Sequence, residues 1–158
     1  MSPQTLDHAG IAARVPHSGA MCLLNCLRSW SAQRIECGAV SHRDPANPLR
    51  IDGRLPAPAA IEYASQAMAL HATLGAERGG APTPGFLASV RGVRLAVPRL
   101  DDVAGEIRVV AELLAGDVRQ ASYAFALHDA DGRLLVDGRA TVILNARPQP
   151  APPGLAVR

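Results

Sequence analysis

Glu62 is the residue least at home in its surroundings. It stands in P-A-P-A-A-I-E-Y-A-S-Q-A-M-A-L-H-A (56–72), a stretch otherwise free of charge before His71. Burying a carboxylate costs several kcal/mol unless it is partnered or holds its proton. Gln66 follows four residues later, shares the same helical face and could orient the carboxyl. Two readings of Glu62 are open. It is a satisfied capping or interface residue, or it is an acid–base group, because perturbed groups gather at functional sites. His17, in V-P-H-S-G-A-M, carries the side chain best suited to proton transfer near neutrality. A histidine after a proline in a loop is as readily structural, and the same holds for His42 in S-H-R-D-P. His71 lies nine residues beyond Glu62, about 180° around a helix, so it faces away from it. His8 and His128 receive no role.

Other chemistries are disfavoured. There is no lysine, which removes Schiff-base chemistry and the phosphate-loop lysine. G-x-S-x-G, H-E-x-x-H and G-x-G-x-x-G are absent. No set of His, Cys and carboxylates has metal-ligand spacing, so no metal and no cofactor are expected. Asp129-Ala130-Asp131-Gly132 lacks the glutamate that closes a calcium loop and reads as a β-turn. Cys22, Cys26 and Cys37 read as buried thiols. Aromatics are only 3% and the net charge is +2, which speaks against nucleic acid. Arg50, Arg54, Arg91, Arg94 and Arg99 form either a solvated surface or a patch that steers an acidic partner. Arg91 and Arg99 bracket a Val93-Leu95-Val97 face, with Arg94 pointing the other way.

These residues must be placed by a modest set of elements. With 158 residues, 48% apolar and 19% charged, the chain reads as one globular domain over 1–146. A Pro-rich, loosely held tail follows over 147–158. No apolar run approaches the ~18 residues of a membrane span, and the N-terminus lacks an apolar signal core, so a cytoplasmic protein is expected. The pattern predicts a short helix at Thr5–Val15 and strands at Met21–Trp30 and Arg34–Ser41, the second with Ile35, Cys37 and Ala39 on one face. A Pro/Gly loop follows over Asp44–Pro58. The chain then forms one long, nearly all-apolar helix, Ala59–Gly75, begun by Pro58 and stopped by Gly75. Strands at Phe86–Val97, Gly105–Leu114, Arg119–His128 and Arg133–Leu144 complete an antiparallel meander. The expected class is α+β, with the sheet curled around the helix.

Three stretches, in order, carry a resemblance. V-P-H-S-G-A-M-C-L-L (15–24) resembles the P-H-R-Y-P-F-L-L that opens bacterial fatty-acid dehydratases. L-P-A-P-A-A-I-E-Y-A-S-Q (55–66) resembles their M-P-G-V-L-I-x-E-A-x-A-Q. G-F-L-A-S-V-R-G-V-R-L (85–95) resembles their F-A-G-I-x-x-x-R-F strand, and A-G-E-I matches the P-G-D after it. The chain is similar over roughly residues 12–146 to hotdog-fold 3-hydroxyacyl-acyl-carrier-protein dehydratases. Its P-H-x-G-A-M and E-Y-x-x-Q are closest to those of aryl-polyene and xanthomonadin-type pigment clusters. One departure stands out. The H-F-P-G histidine of the fatty-acid enzymes is missing from Asp52-Gly53-Arg54-Leu55-Pro56.

The resemblance implies a hotdog fold and a reaction. His17 would take the C2 proton of a (3R)-3-hydroxyacyl thioester, and Glu62 would protonate the leaving C3 hydroxyl, with Gln66 orienting it. Backbone N–H groups of Ala59 or Ala60 would stabilise the enolate-like oxygen. Arg54, Arg91, Arg94 and Arg99 would meet the acyl carrier protein. No cofactor is needed, and the site would form in a homodimer or in a heterodimer with a second hotdog dehydratase. Two other readings share the fold. In a thioesterase Glu62 would activate water, and a non-catalytic subunit would shape the site of an active partner.

Overall fold

The structure, a computed structural model, describes residues 5–15, 19–79 and 84–144. Among these residues, seven strands form one antiparallel sheet: β1 (Leu6–Asp7), β2 (Cys26–Trp30), β3 (Arg34–Ala39), β4 (Pro84–Leu95), β5 (Ile107–Gly116), β6 (Gln120–His128) and β7 (Leu134–Leu144). Two helices accompany them, α1 (His8–Ala12) and α2 (Ala60–Gly79). The sheet order is β1-β2-β3-β5-β6-β7-β4. β5, β6 and β7 form the expected meander, but β4 crosses to the far side of β7 and becomes the sheet's last strand.

The core is the contact between α2 and the curved sheet. Ala60, Tyr63, Ala64, Ala67, Leu70 and Leu74 are fully buried on the helix. Ile35, Cys37, Ala39, Ile107, Val109, Ala111 and Leu127 are fully buried on the strands they meet. Each large side chain so buried contributes about 1.5–3 kcal/mol. The alanines set the spacing, since a methyl group lets the strands approach the helix axis closely. Burial pushes the Cys37 thiol up to about 12, so it stays protonated as a small core hydrophobe.

Several boundaries differ from expectation, each for a physical reason. Met21–Asn25 does not join β2. Gly19–Met21 is a 3-10 turn entered through Gly19 at φ 59°, and the backbone at Met21 and Leu23 bonds to Gln66 rather than to a strand. Nor does α2 stop at Gly75. Leu74 is buried beneath that turn, and Glu77 reaches Arg14 at 3.0 Å, so the helix runs on to Gly79 despite the ~1 kcal/mol cost of an internal glycine. At its other end, Ala57–Ala59 is a 3-10 turn leading into Ala60.

The alternation expected in β4 is reset by a bulge between Arg91 and Arg94, with Gly92 at φ 61°. Leu95 is consequently half exposed while Val97, past the strand end, is buried. Arg91 and Arg94 pair with Arg139 and Asp137, two residues apart on β7, and so share a face rather than opposing one another. The tail from residue 145 lies outside the described residues.

Candidate active site

Glu62 sits in the first turn of α2, half-buried, as the expected helix places it. Gln66, one turn on, is fully buried and makes three bonds. Its Oε1 accepts the Leu23 N–H at 2.8 Å, and its Nε2 donates to the Met21 carbonyl at 2.6 Å and to Glu62 Oε1 at 3.5 Å. The first two bonds fix which end of the amide faces which way. They also pin the segment just after His17 against the helix face that carries Glu62. His17 itself lies outside the described residues.

A polar network continues from that segment. Ser41 Oγ donates to the Leu23 carbonyl at 2.7 Å and lies 2.8 Å from the Tyr63 hydroxyl. Asn47 Nδ2 donates to the same hydroxyl at 3.1 Å and to the Ser41 carbonyl at 2.9 Å. Burial pushes the Tyr63 phenol up, against its hydrogen bonds with Ser41 and Asn47, so it stays neutral. Sequence reasoning missed Ser41, Tyr63 and Asn47. The available signal was a tyrosine in an alanine-rich helix, since a buried phenol needs a partner.

The helix start was expected to offer the Ala59 and Ala60 amides. Ala59 N–H donates to Pro56 at 2.9 Å, and Ala60 N–H donates back to Ala57 and Pro58. An oxyanion at this corner would share a donor already engaged in the turn. Nearby, Ile51 and Arg54 bridge a tight turn with Asp52 at φ 51° and Gly53 at φ 75°, which leaves Arg54 exposed. Arg54 and Arg91 make no ion pair among the described residues. Arg94 instead pairs with Asp137 at 2.6 Å, and Arg99 is bonded to Asp101. The Arg99 guanidinium holds the Asp101 carboxyl well below the usual carboxylate range.

The other histidines stand apart. His71 is buried on the opposite side of α2, with Nε2 bonded to the Ser31 carbonyl at 2.8 Å and Nδ1 to the Tyr123 hydroxyl at 2.7 Å. A carbonyl only accepts, so Nε2 carries the proton and Nδ1 takes the one from Tyr123. Trp30 and Tyr123 meet the ring edge-on. Burial pushes His71 below its ordinary value and Tyr123 up to about 12. His42 is fully buried, donates to the Val103 carbonyl at 3.0 Å and is pushed down by the same desolvation. His8 Nε2 meets the Cys22 carbonyl at 3.1 Å. Among the described residues, no three metal-ligating side chains gather. No helix there is long and apolar enough to cross a membrane.

A family model described as ApeP dehydratase matches residues 9–151. The chain belongs to the ApeP-like family of dehydratases. No curated protein matches the sequence of this ApeP-like chain. Among solved structures it is similar to the dehydratase heterocomplex ApeI:P from Xenorhabdus doucetiae. That match has 25% identity and a TM-score of 0.74, and covers 85% of this chain and 90% of that one. A thioesterase from Haemophilus influenzae matches at 13% identity and a TM-score of 0.66, over 94% of this chain and 98% of that one. A mutant thioesterase from Pseudomonas aeruginosa matches at 15% identity and a TM-score of 0.64, over 89% and 95%. The two thioesterases share the fold, and the seven-stranded antiparallel sheet around one long helix is the hotdog fold the resemblance implied.

Proposed function

We propose that this ApeP-like chain dehydrates (3R)-3-hydroxyacyl thioesters held on an acyl carrier protein. The product is the trans-2-enoyl thioester, made in the cytoplasm in fatty-acid-like or polyene-pigment synthesis. His17 takes the C2 proton. Glu62 protonates the C3 hydroxyl, which leaves as water. Membership of a dehydratase family supports the reaction class. The observation that carries the assignment of residues is Gln66, which bonds at once to Glu62 and to the backbone at Met21 and Leu23. It brings the segment following His17 to the carboxylate. Arg54 and Arg91 meet the acidic carrier protein, since among the described residues neither shares its charge with a carboxylate in an ion pair.

The catalytic unit is a pair of hotdog chains. β4 ends the sheet and has strand pairing to offer along twelve residues, with Phe86 and Leu95 exposed on it. A solved relative is a heterocomplex, which favours a second hotdog dehydratase as the mate over a second copy. The test is water loss from a 3-hydroxyacyl carrier-protein thioester, followed by mass spectrometry, with the chain alone and with the second subunit. Turnover that disappears in Glu62→Gln and His17→Ala supports the reading. Turnover unchanged in Glu62→Gln refutes it, as does release of the free acid, which marks a thioesterase. Turnover that needs the partner and survives both substitutions makes this chain a non-catalytic subunit.

A further inference from the structure

The hydrogen bonds around Gln66 run in one direction only. The Leu23 carbonyl can only accept, so the Ser41 hydroxyl must donate to it at 2.7 Å. The Ser41 oxygen therefore accepts the Tyr63 proton at 2.8 Å. Tyr63 in turn accepts from Asn47 Nδ2 at 3.1 Å, and Asn47 cannot flip because its Oδ1 accepts the Leu49 N–H at 2.9 Å. On the other side of the Leu23 Cα, in the preceding peptide unit, the Leu23 N–H donates to Gln66 Oε1 at 2.8 Å, which turns Nε2 toward Met21 and Glu62. Two donor chains therefore meet at Leu23: Asn47, Tyr63 and Ser41 end on its carbonyl, and its N–H leads through Gln66 to Glu62. Asn47, Tyr63, Gln66 and Leu23 are all buried, so none of these four can exchange its partner for water without a cost. The last acceptor, Glu62, is half-buried and faces the proposed chemistry.

We propose that Tyr63, Ser41 and Asn47 are positioning residues for dehydration, holding the Leu23 backbone and Gln66 so that Gln66 always presents an N–H to one oxygen of Glu62. This inference rests on the proposed function. The oxygen facing Gln66 is an acceptor in every state, so the proton given to the substrate leaves from the other oxygen. The 41–47 loop and the site then move as one unit.

The test uses the active assembly, whether this chain alone or with its second subunit, and compares Ser41→Ala, Ser41→Thr and Tyr63→Phe. Because acid and substrate must be aligned, Ser41→Ala and Tyr63→Phe should each lower kcat about tenfold with KM within about twofold. Ser41→Thr keeps the hydroxyl and should restore most of the rate. The decisive readout is coupling. Gln66→Leu removes the link to Glu62, so adding Ser41→Ala to it should cost no further rate. Losses that multiply in the double variant, a rise in KM with kcat unchanged, or no loss in Ser41→Ala overturn the inference while leaving the dehydratase reading intact. A wild-type assembly that dehydrates nothing refutes the dehydratase reading, and the positioning role falls with it.

Discussion

Replacing Gln66 with leucine isolates the structural weight of the joint between helix and loop. The substitution keeps shape and volume close. It strips a partner from the Leu23 N–H, which lies in the buried interior, and from the Met21 carbonyl. An orphaned buried donor or acceptor costs about 1–3 kcal/mol, and the new apolar contacts return about 1–2. Two such groups together cost about 2–6 kcal/mol, so the mid-range net loss is about 2–3 kcal/mol, within the ~5–15 kcal/mol that holds a domain together, and the variant folds. At about 2–4 °C per kcal/mol for a chain of this size, the melting temperature should fall by roughly 5–10 °C. The control is Glu62→Gln, which keeps an oxygen to accept the Gln66 N–H and sits at a half-buried position, so its shift should stay below about 2 °C. Scanning calorimetry on both variants decides the matter. A Gln66→Leu melting point within about 2 °C of wild type would refute the argument that this amide ties the Gly19–Leu24 segment to α2.

His71 and His42 are buried and held below their ordinary values, so the unfolded chain takes up protons that the folded one refuses. Stability from this source is complete above about pH 6.5 and declines as the pH falls below it. The urea midpoint should therefore drop between pH 7.5 and pH 5, and a flat profile would count against it. Gly138→Ala would set a methyl 2.9 Å from the buried Phe125 ring and 3.1 Å from Val93. Overpacking of this kind costs about 1–3 kcal/mol, readable as a lowered denaturation midpoint. Reversing charge with Arg54→Glu and Arg91→Glu together should raise KM for a carrier-bound substrate at least about fivefold while leaving turnover of a short thioester mimic unchanged. Equal effects on both substrates would remove these arginines from the carrier-protein surface.

Glu62 could be singled out from the sequence because charge is conspicuous in a run of alanines, and the helix followed from composition and from Pro58. The strands β3, β5, β6 and β7 were legible because alternation survives in them. What was hidden depended on contacts distant in sequence. Met21–Asn25 has the apolar character of a strand, but a side chain 43 positions away from Leu23 takes its backbone. Gly75 looked like a stop, yet the buried Leu74 beside it and the Arg14–Glu77 contact carry the helix on. The faces of β4 were misplaced because the glycine bulge between Arg91 and Arg94 resets the alternation for the end of the strand, turning Leu95 outward. Ser41 and Asn47 are ordinary loop residues until Tyr63 is seen between them.

The outer position of β4 also bears on how such a chain behaves when it is made alone. Twelve residues of sheet margin, bearing exposed Phe86 and Leu95, form a template that any extended peptide can join. Its irregular ladder with β7 and the guanidinium groups of Arg91 and Arg94 blunt that template without closing it. Solubility then becomes a matter of supply. Under the proposed pairing, a cell that makes the chain in step with a second hotdog subunit keeps the margin covered from the start. One that makes it in excess must rely on those two arginines and the bulge to keep the surplus from self-association.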